Sequence, residues 1–77
     1  QMAPLRKKAQ AAEQEIARLQ KAVEALDAKL ADPKIAGDTA AMTATAKERV
    51  DTLKALAAAE ETWLSASAAY EDAMASS

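Results

Sequence analysis

Four basic side chains, Lys7, Arg18, Lys21 and Lys29, share the outer positions of one heptad frame once Leu5 is set at d. Lys7 and Lys21 fall at f, Arg18 at c and Lys29 at g. Cations spaced along the solvent side of a helix can track a phosphate backbone without reading bases. The acids of the same stretch, Glu13, Glu15, Glu24 and Asp27, fall nearer the seam, so the expected outer face is basic without interruption. A solvated coiled-coil face has the same pattern, and a formal net charge of −2 gives no bulk attraction to nucleic acid.

Other chemistry is scarce. Cysteine and histidine are absent, which removes thiolate nucleophiles, disulfides, imidazole bases and nearly every zinc site. Glu60, expected beside the seam and facing water or Lys8, is an isolated carboxylate and supports no acid–base mechanism. Glu71-Asp72 lacks the supporting ligands of a calcium loop. The one glycine, Gly37, rules out a Gly-rich phosphate loop. The expectation is a chain that is not an enzyme and holds no cofactor or metal.

The element that must carry the four cations is a long helix. Leu5, Ala9, Ala12, Ile16, Leu19, Val23, Leu26 and Leu30 recur at alternating spacings of four and three, the seam of a left-handed coiled coil. Pro4 is tolerated in a first turn, and Asp32-Pro33 stops the helix because the residue before a proline is pushed to extended geometry. Gly37 is a second breaker, and Asp38 or Thr39 can cap a second helix. Ile35, the one large apolar residue between the breaks, is expected to tuck over the end against Leu30 and Met42.

The second helix shows a less regular stripe of Met42, Ala46, Val50, Leu53, Leu56, Ala57, Trp63, Leu64, Tyr70 and Met74. The expected fold is all-α, a two-helix antiparallel coiled-coil hairpin with helix one over about 4–31, a loop over about 32–38 and helix two over about 39–75. A loop centred near residue 36 would set Leu30 against Met42, Leu19 against Leu53 and Ile16 against Leu56, with Ala9 and Ala12 beside Trp63. Two alanines opposite an indole are the size match that close packing requires, so Trp63 reads as core more readily than as a partner's anchor.

Charge favours the same pairing. Seven bases against five acids leave residues 1–34 at +2, and three bases against seven acids leave residues 35–77 at −4. Exposed pairs are weak, so this attraction orients more than it stabilises. With 77 residues and an alanine-rich seam, stability rests heavily on helix propensity.

No apolar run approaches the roughly 20 residues of a bilayer span, and acids on the polar faces argue against a membrane-surface helix. Gln1-Met2-Ala3-Pro4 lacks a signal-peptide core, and a glutamine start reads as a cut within a longer protein. A cytoplasmic, monomeric fragment is expected.

Several segments resemble a known family. Leu26-Asp27-Ala28-Lys29-Leu30-Ala31-Asp32-Pro33 is similar to the tip of the C-terminal coiled-coil hairpin of ABC-F family ATPases. So are Ala46-Lys47-Glu48-Arg49 and Ala58-Ala59-Glu60-Glu61-Thr62-Trp63-Leu64, and Pro4-Leu5-Arg6-Lys7-Lys8 resembles the start of that hairpin. Members of the family often carry a bulky or aromatic residue after the Asp-Pro element, where this chain has Ile35-Ala36-Gly37. The resemblance implies a cytoplasmic parent with two ATP-binding cassettes, where ATP and Mg would bind, acting on ribosomes in translation. This chain would be its C-terminal appendage, in contact with its own ATPase domains in cis and with the ribosome, structured RNA or DNA. Two alternatives stand beside it. The C-terminal coiled-coil arm of valyl-tRNA synthetases resembles the tip and Lys47-Glu48-Arg49, and a purely structural coiled-coil spacer needs no partner.

Overall fold

The computed structural model describes residues 2–76 and is all-helical, with α1 at Met2–Ala31, α2 at Pro33–Ala36 and α3 at Thr39–Ala75. Three helices stand where two and a loop were expected. The same residues that end α1 start α2. Pro33 forces Asp32 to φ −73° and ψ 124°, and from that extended position the Asp32 carboxylate accepts the Lys34 N–H at 2.9 Å while proline occupies the first turn. A stop signal read on its own is thus also an N-cap followed by a preorganised helical φ.

Gly37 closes α2 at φ −81° and ψ −5°, an ordinary right-handed conformation. Its backbone N–H reaches the Pro33 carbonyl at 3.0 Å, and a Cβ built on it would lie 3.3 Å from that same oxygen. A left-handed backbone is therefore not what the glycine serves. Asp38 then swings to φ −118° and ψ 105°, accepts the Ala41 N–H at 3.1 Å and so caps α3.

The molecule measures 59 × 14 × 14 Å, with a radius of gyration of 17.3 Å. A compact domain of this length would have a radius near 11–12 Å. At about 1.5 Å per residue α3 alone spans nearly the whole length. α1 and α3 lie side by side, and α2 touches both at one end. Two cross-helix ties set direction and register. Arg49 Nε donates to Asp27 Oδ1 at 2.6 Å, and Trp63 Nε1 donates to Glu13 Oε1 at 2.9 Å. The ties are two heptads apart on each helix, in opposite senses, so the helices run antiparallel with one constant register.

On α1 the shielded face is the seam read from the sequence. Ala12, Leu19 and Leu26 are each only 6% exposed, and Leu5, Ala9, Ile16, Val23 and Leu30 are half-buried. On α3 it is another face. Met42, Thr45, Arg49, Thr52, Leu56, Ala59, Trp63, Ala66, Tyr70 and Ala73 are buried or half-buried, at unbroken spacings of three and four. Met42, Leu56, Trp63 and Tyr70 therefore lie where expected. Leu53 does not: it is 36% exposed, with Val50, Leu64 and Met74 at 50%, 61% and 52%, and Ala46 and Ala57 are exposed too.

The correction has a steric cause. One residue along a helix is a rotation of about 100°, so the two candidate faces of α3 are neighbours and only one can meet α1. To within one residue of the register of the two ties, Ile16 lies level with Ala59, Ala12 with Trp63 and Ala9 with Ala66. Leu19 lies level with Leu56, and Val23 and Leu30 with Thr52 and Thr45. Large faces small at Ile16–Ala59, Ala12–Trp63 and Leu30–Thr45, whereas Leu19 and Leu56 meet as equals, so the size match is local. The register is also about one helical turn away from the expected one, since Leu19 meets Leu56 in place of Leu53.

The seam hydroxyls do not disturb this packing. Thr45 and Thr52 each donate to the carbonyl four residues back, Ala41 and Glu48, at 2.8 Å. Thr45 is therefore buried without an orphaned polar atom, and no buried side-chain donor or acceptor among the described residues lacks a partner.

Candidate nucleic-acid interface

Lys7, Arg18 and Lys21 are exposed along the outer side of α1, where the heptad frame places them. Lys7 and Lys21 are two heptads apart, about 21 Å along the axis, and Arg18 is one turn from Lys21. Three cations thus share a face that contributes nothing to the seam.

The face is not free of acids. Arg18 Nε donates to Glu15 Oε1, one turn earlier, with the two side chains 67% and 46% exposed. Hydrogen bonding to Arg18 holds the Glu15 carboxyl below its ordinary range, and the same bond raises Arg18. Both groups keep their charges near neutrality, and any phosphate at Arg18 must compete with a local carboxylate. Glu24, expected nearer the seam, is at outer position b of the same frame and exposed one turn from Lys21, and the expected place of Glu15 was nearer the seam too. At position g it is solvent-exposed, and with Ala11, Gln14 and Arg18 it borders a shallow depression on the outside of α1.

Lys29 separates from the other three. It lines the interhelical groove with Thr45, Lys47, Glu48 and Asp51, where Lys47 Nζ is bound to Asp51 Oδ2 at 3.0 Å. A g-position lysine leans toward the facing helix, so its field is partly cancelled by acids of α3. Lys8, also at g, lies in a similar groove with Ala58, Glu61, Thr62 and Ser65. Glu60, expected near Lys8, is on the opposite flank beside Ile16, Trp63 and Leu64.

Two residues carry roles that the heptad pattern does not assign. Arg49 reads in the sequence as a surface base and is a seam residue, and Glu13 reads as a generic acid and accepts the only indole N–H. A signal for both is present. Glu13 and Asp27 are fourteen residues apart, as are Arg49 and Trp63, and equal two-heptad intervals on antiparallel helices bring such pairs level.

Among the described residues, no group of three or more His, Cys, Asp or Glu side chains is placed to hold a metal ion, and no helix is long and apolar enough to cross a membrane. No family model, curated protein or solved structure matches the chain.

Proposed function

We propose that this chain is the non-catalytic C-terminal coiled-coil appendage of an ABC-F type ATP-binding protein. In this reading α1 and α3 are the arms of a coiled-coil hairpin and α2 is its tip. The hairpin extends from cytoplasmic ATPase cassettes, which supply the ATP and Mg sites, and contributes contacts to ribosome or other structured RNA. The supporting observation is a rod 59 Å long with Lys7, Arg18 and Lys21 exposed along the side of α1 turned away from its packing partner. A rigid arm with its cations on the outside can lie along a phosphate backbone without reading bases. Lys29 is set apart from these three because Glu48 and Asp51 share its groove.

Titrating labelled structured RNA or ribosomes at two salt concentrations tests the reading. Replacing Lys7, Arg18 and Lys21 with glutamine should weaken binding and flatten the log–log salt slope by about 0.7–0.9 for each phosphate interaction removed, with helicity retained. Lys29→Gln should change neither. Equal binding by parent and triple variant at matched salt, or no binding by the parent, reduces the hairpin to a spacer. That competing class draws on the Glu15–Arg18 pair and the net charge of −2.

A further inference from the structure

α3 carries two heptad patterns, and α1 covers one. The covered pattern holds Thr45, Arg49, Thr52, Leu56, Ala59 and Trp63. The other is displaced by one residue and holds Ala46, Val50, Leu53, Ala57 and Leu64, all exposed, with Glu60 at the position between Ala57 and Leu64. Isolated surface leucines are ordinary in proteins, but large apolar side chains repeating at helix–helix spacing along one flank form a seam. Leu64 at 61% exposure is more open than any large residue of the covered seam, all of which are half-buried or better. The flank also borders an open groove of about 430 Å³ lined by Ile16, Glu60, Trp63 and Leu64.

The charges of α3 select an occupant. Its bases, Lys47, Arg49 and Lys54, all precede residue 55, accompanied by Glu48 and Asp51. Beyond that point Glu60, Glu61, Glu71 and Asp72 follow with no base at all. A parallel copy of α3 would set the acidic halves against each other, and an antiparallel copy sets each acidic half against the half that carries the bases. The apolar pattern allows the second arrangement through one pair of large side chains, Leu53 with Leu64. The flank closes on its own antiparallel copy when Leu53 is level with Leu64, Val50 with Ser67 and Ala57 with Glu60. In that register Lys54 of the second copy is level with Trp63, on the side of the flank away from α1, where Glu61 lies. The relation is self-complementary, as an isologous two-fold interface requires.

We propose that the flank formed by Ala46, Val50, Leu53, Ala57 and Leu64 is a dimerisation surface on which a second copy of this chain docks antiparallel. Leu53 of each copy seats beside Ile16, Trp63 and Leu64 of the other. The dimer is weak, because Glu60 of both copies lies near the two-fold axis. α1 stays on the outside of the pair, and its outer face remains free.

Sedimentation equilibrium of the chain from about 10 μM to about 1 mM, a range in which weak association populates, should show a monomer–dimer equilibrium. Leu64→Glu or Leu53→Glu should raise the dissociation constant at least about tenfold, roughly 1.4 kcal/mol, with the monomer's circular dichroism unchanged because both sites are exposed. Geometry is tested by oxidation, since the chain has no cysteine of its own. A mixture of Leu53→Cys and Leu64→Cys chains should give the mixed disulfide, whereas Leu53→Cys alone should not, its two thiols being about 16 Å apart along the axis. A chain monomeric throughout the range overturns the proposal. So do a dimer that survives both glutamate variants, efficient self-linking of Leu53→Cys, and a monomeric chain that captures a foreign basic amphipathic helix on this flank.

Discussion

α1 and α3 meet along one interface but build their sides of it from different materials. α1 contributes its leucines, isoleucine and valine and leaves charged and small residues outside. α3 contributes Thr45, Arg49, Thr52, Ala59 and Ala66 interspersed with Met42, Leu56, Trp63 and Tyr70, and leaves Val50, Leu53 and Leu64 outside. Hydrophobicity alone therefore locates the buried face of α1 and misplaces that of α3. The face of α3 that wins is the one whose small residues receive the large ones of α1, with Trp63 filling the gap left by Ala9 and Ala12.

The largest expected effect tests this asymmetry directly. Leu26→Ala removes a side chain that is 6% exposed and should cost about 2–4 kcal/mol. Leu64→Ala removes one that is 61% exposed and should cost under about 0.5 kcal/mol in dilute solution, where no second copy covers it. Urea melts of the two variants decide the point, and comparable losses would mean that the leucine flank is the true seam. Trp63→Ala belongs with Leu26→Ala. The indole is half-buried and its N–H is bonded to Glu13, so a loss of about 2–3 kcal/mol is expected. As the only tryptophan, its emission maximum reports the same burial independently.

Arg49 sharpens the comparison at a smaller scale. It occupies a seam position that α1 would fill with an aliphatic residue, and its partner Asp27 is 52% exposed and can be rehydrated. Exposed pairs of this kind are worth about 0–1 kcal/mol, so Arg49→Met should leave thermal stability within about 1 kcal/mol of the parent, on either side. A loss above about 2 kcal/mol would show that α3's polar seam stabilises the fold and does more than set its register.

The smallest effect lies outside the seam. Because the Arg18 hydrogen bond lowers the folded-state pKa of Glu15, the pair adds stability at pH values above the ordinary carboxyl pKa near 4.5. That contribution is lost as pH falls through the lowered folded value. Glu15→Gln should therefore lower the melting temperature slightly at neutral pH, leave it unchanged below the lowered folded pKa, and so flatten the acid limb. An unaltered acid limb would mean that the pair does not persist in solution.

Much of this architecture is legible in the residues, for local reasons. Asp32-Pro33 marks the end of α1 because Pro33 acts on its immediate neighbour, and Asp38 marks a cap because its carboxylate need only reach three residues ahead. The unexpected α2 comes from the same locality, since an Asp-Pro pair signals the start of a turn of helix as well as the end of one. The candidate site is less legible. Heptad position places Lys7, Arg18 and Lys21 outside, but the Glu15–Arg18 bond and the acids beside Lys29 depend on side-chain reach and on α3's rotation.

By itself the sequence determined that two long helices form, where they break, and which face of α1 is buried. Propensity, capping and a single apolar stripe are properties of a chain segment. Tertiary structure alone decided the rotation of α3, the one-turn difference in register, the indole's partner, and that Lys29 borders a groove shared with acids of α3. Two stripes about 100° apart on one helix are nearly equivalent until a partner of fixed shape is pressed against them. The choice is then made by the fit of large against small across the interface, which no single helix contains.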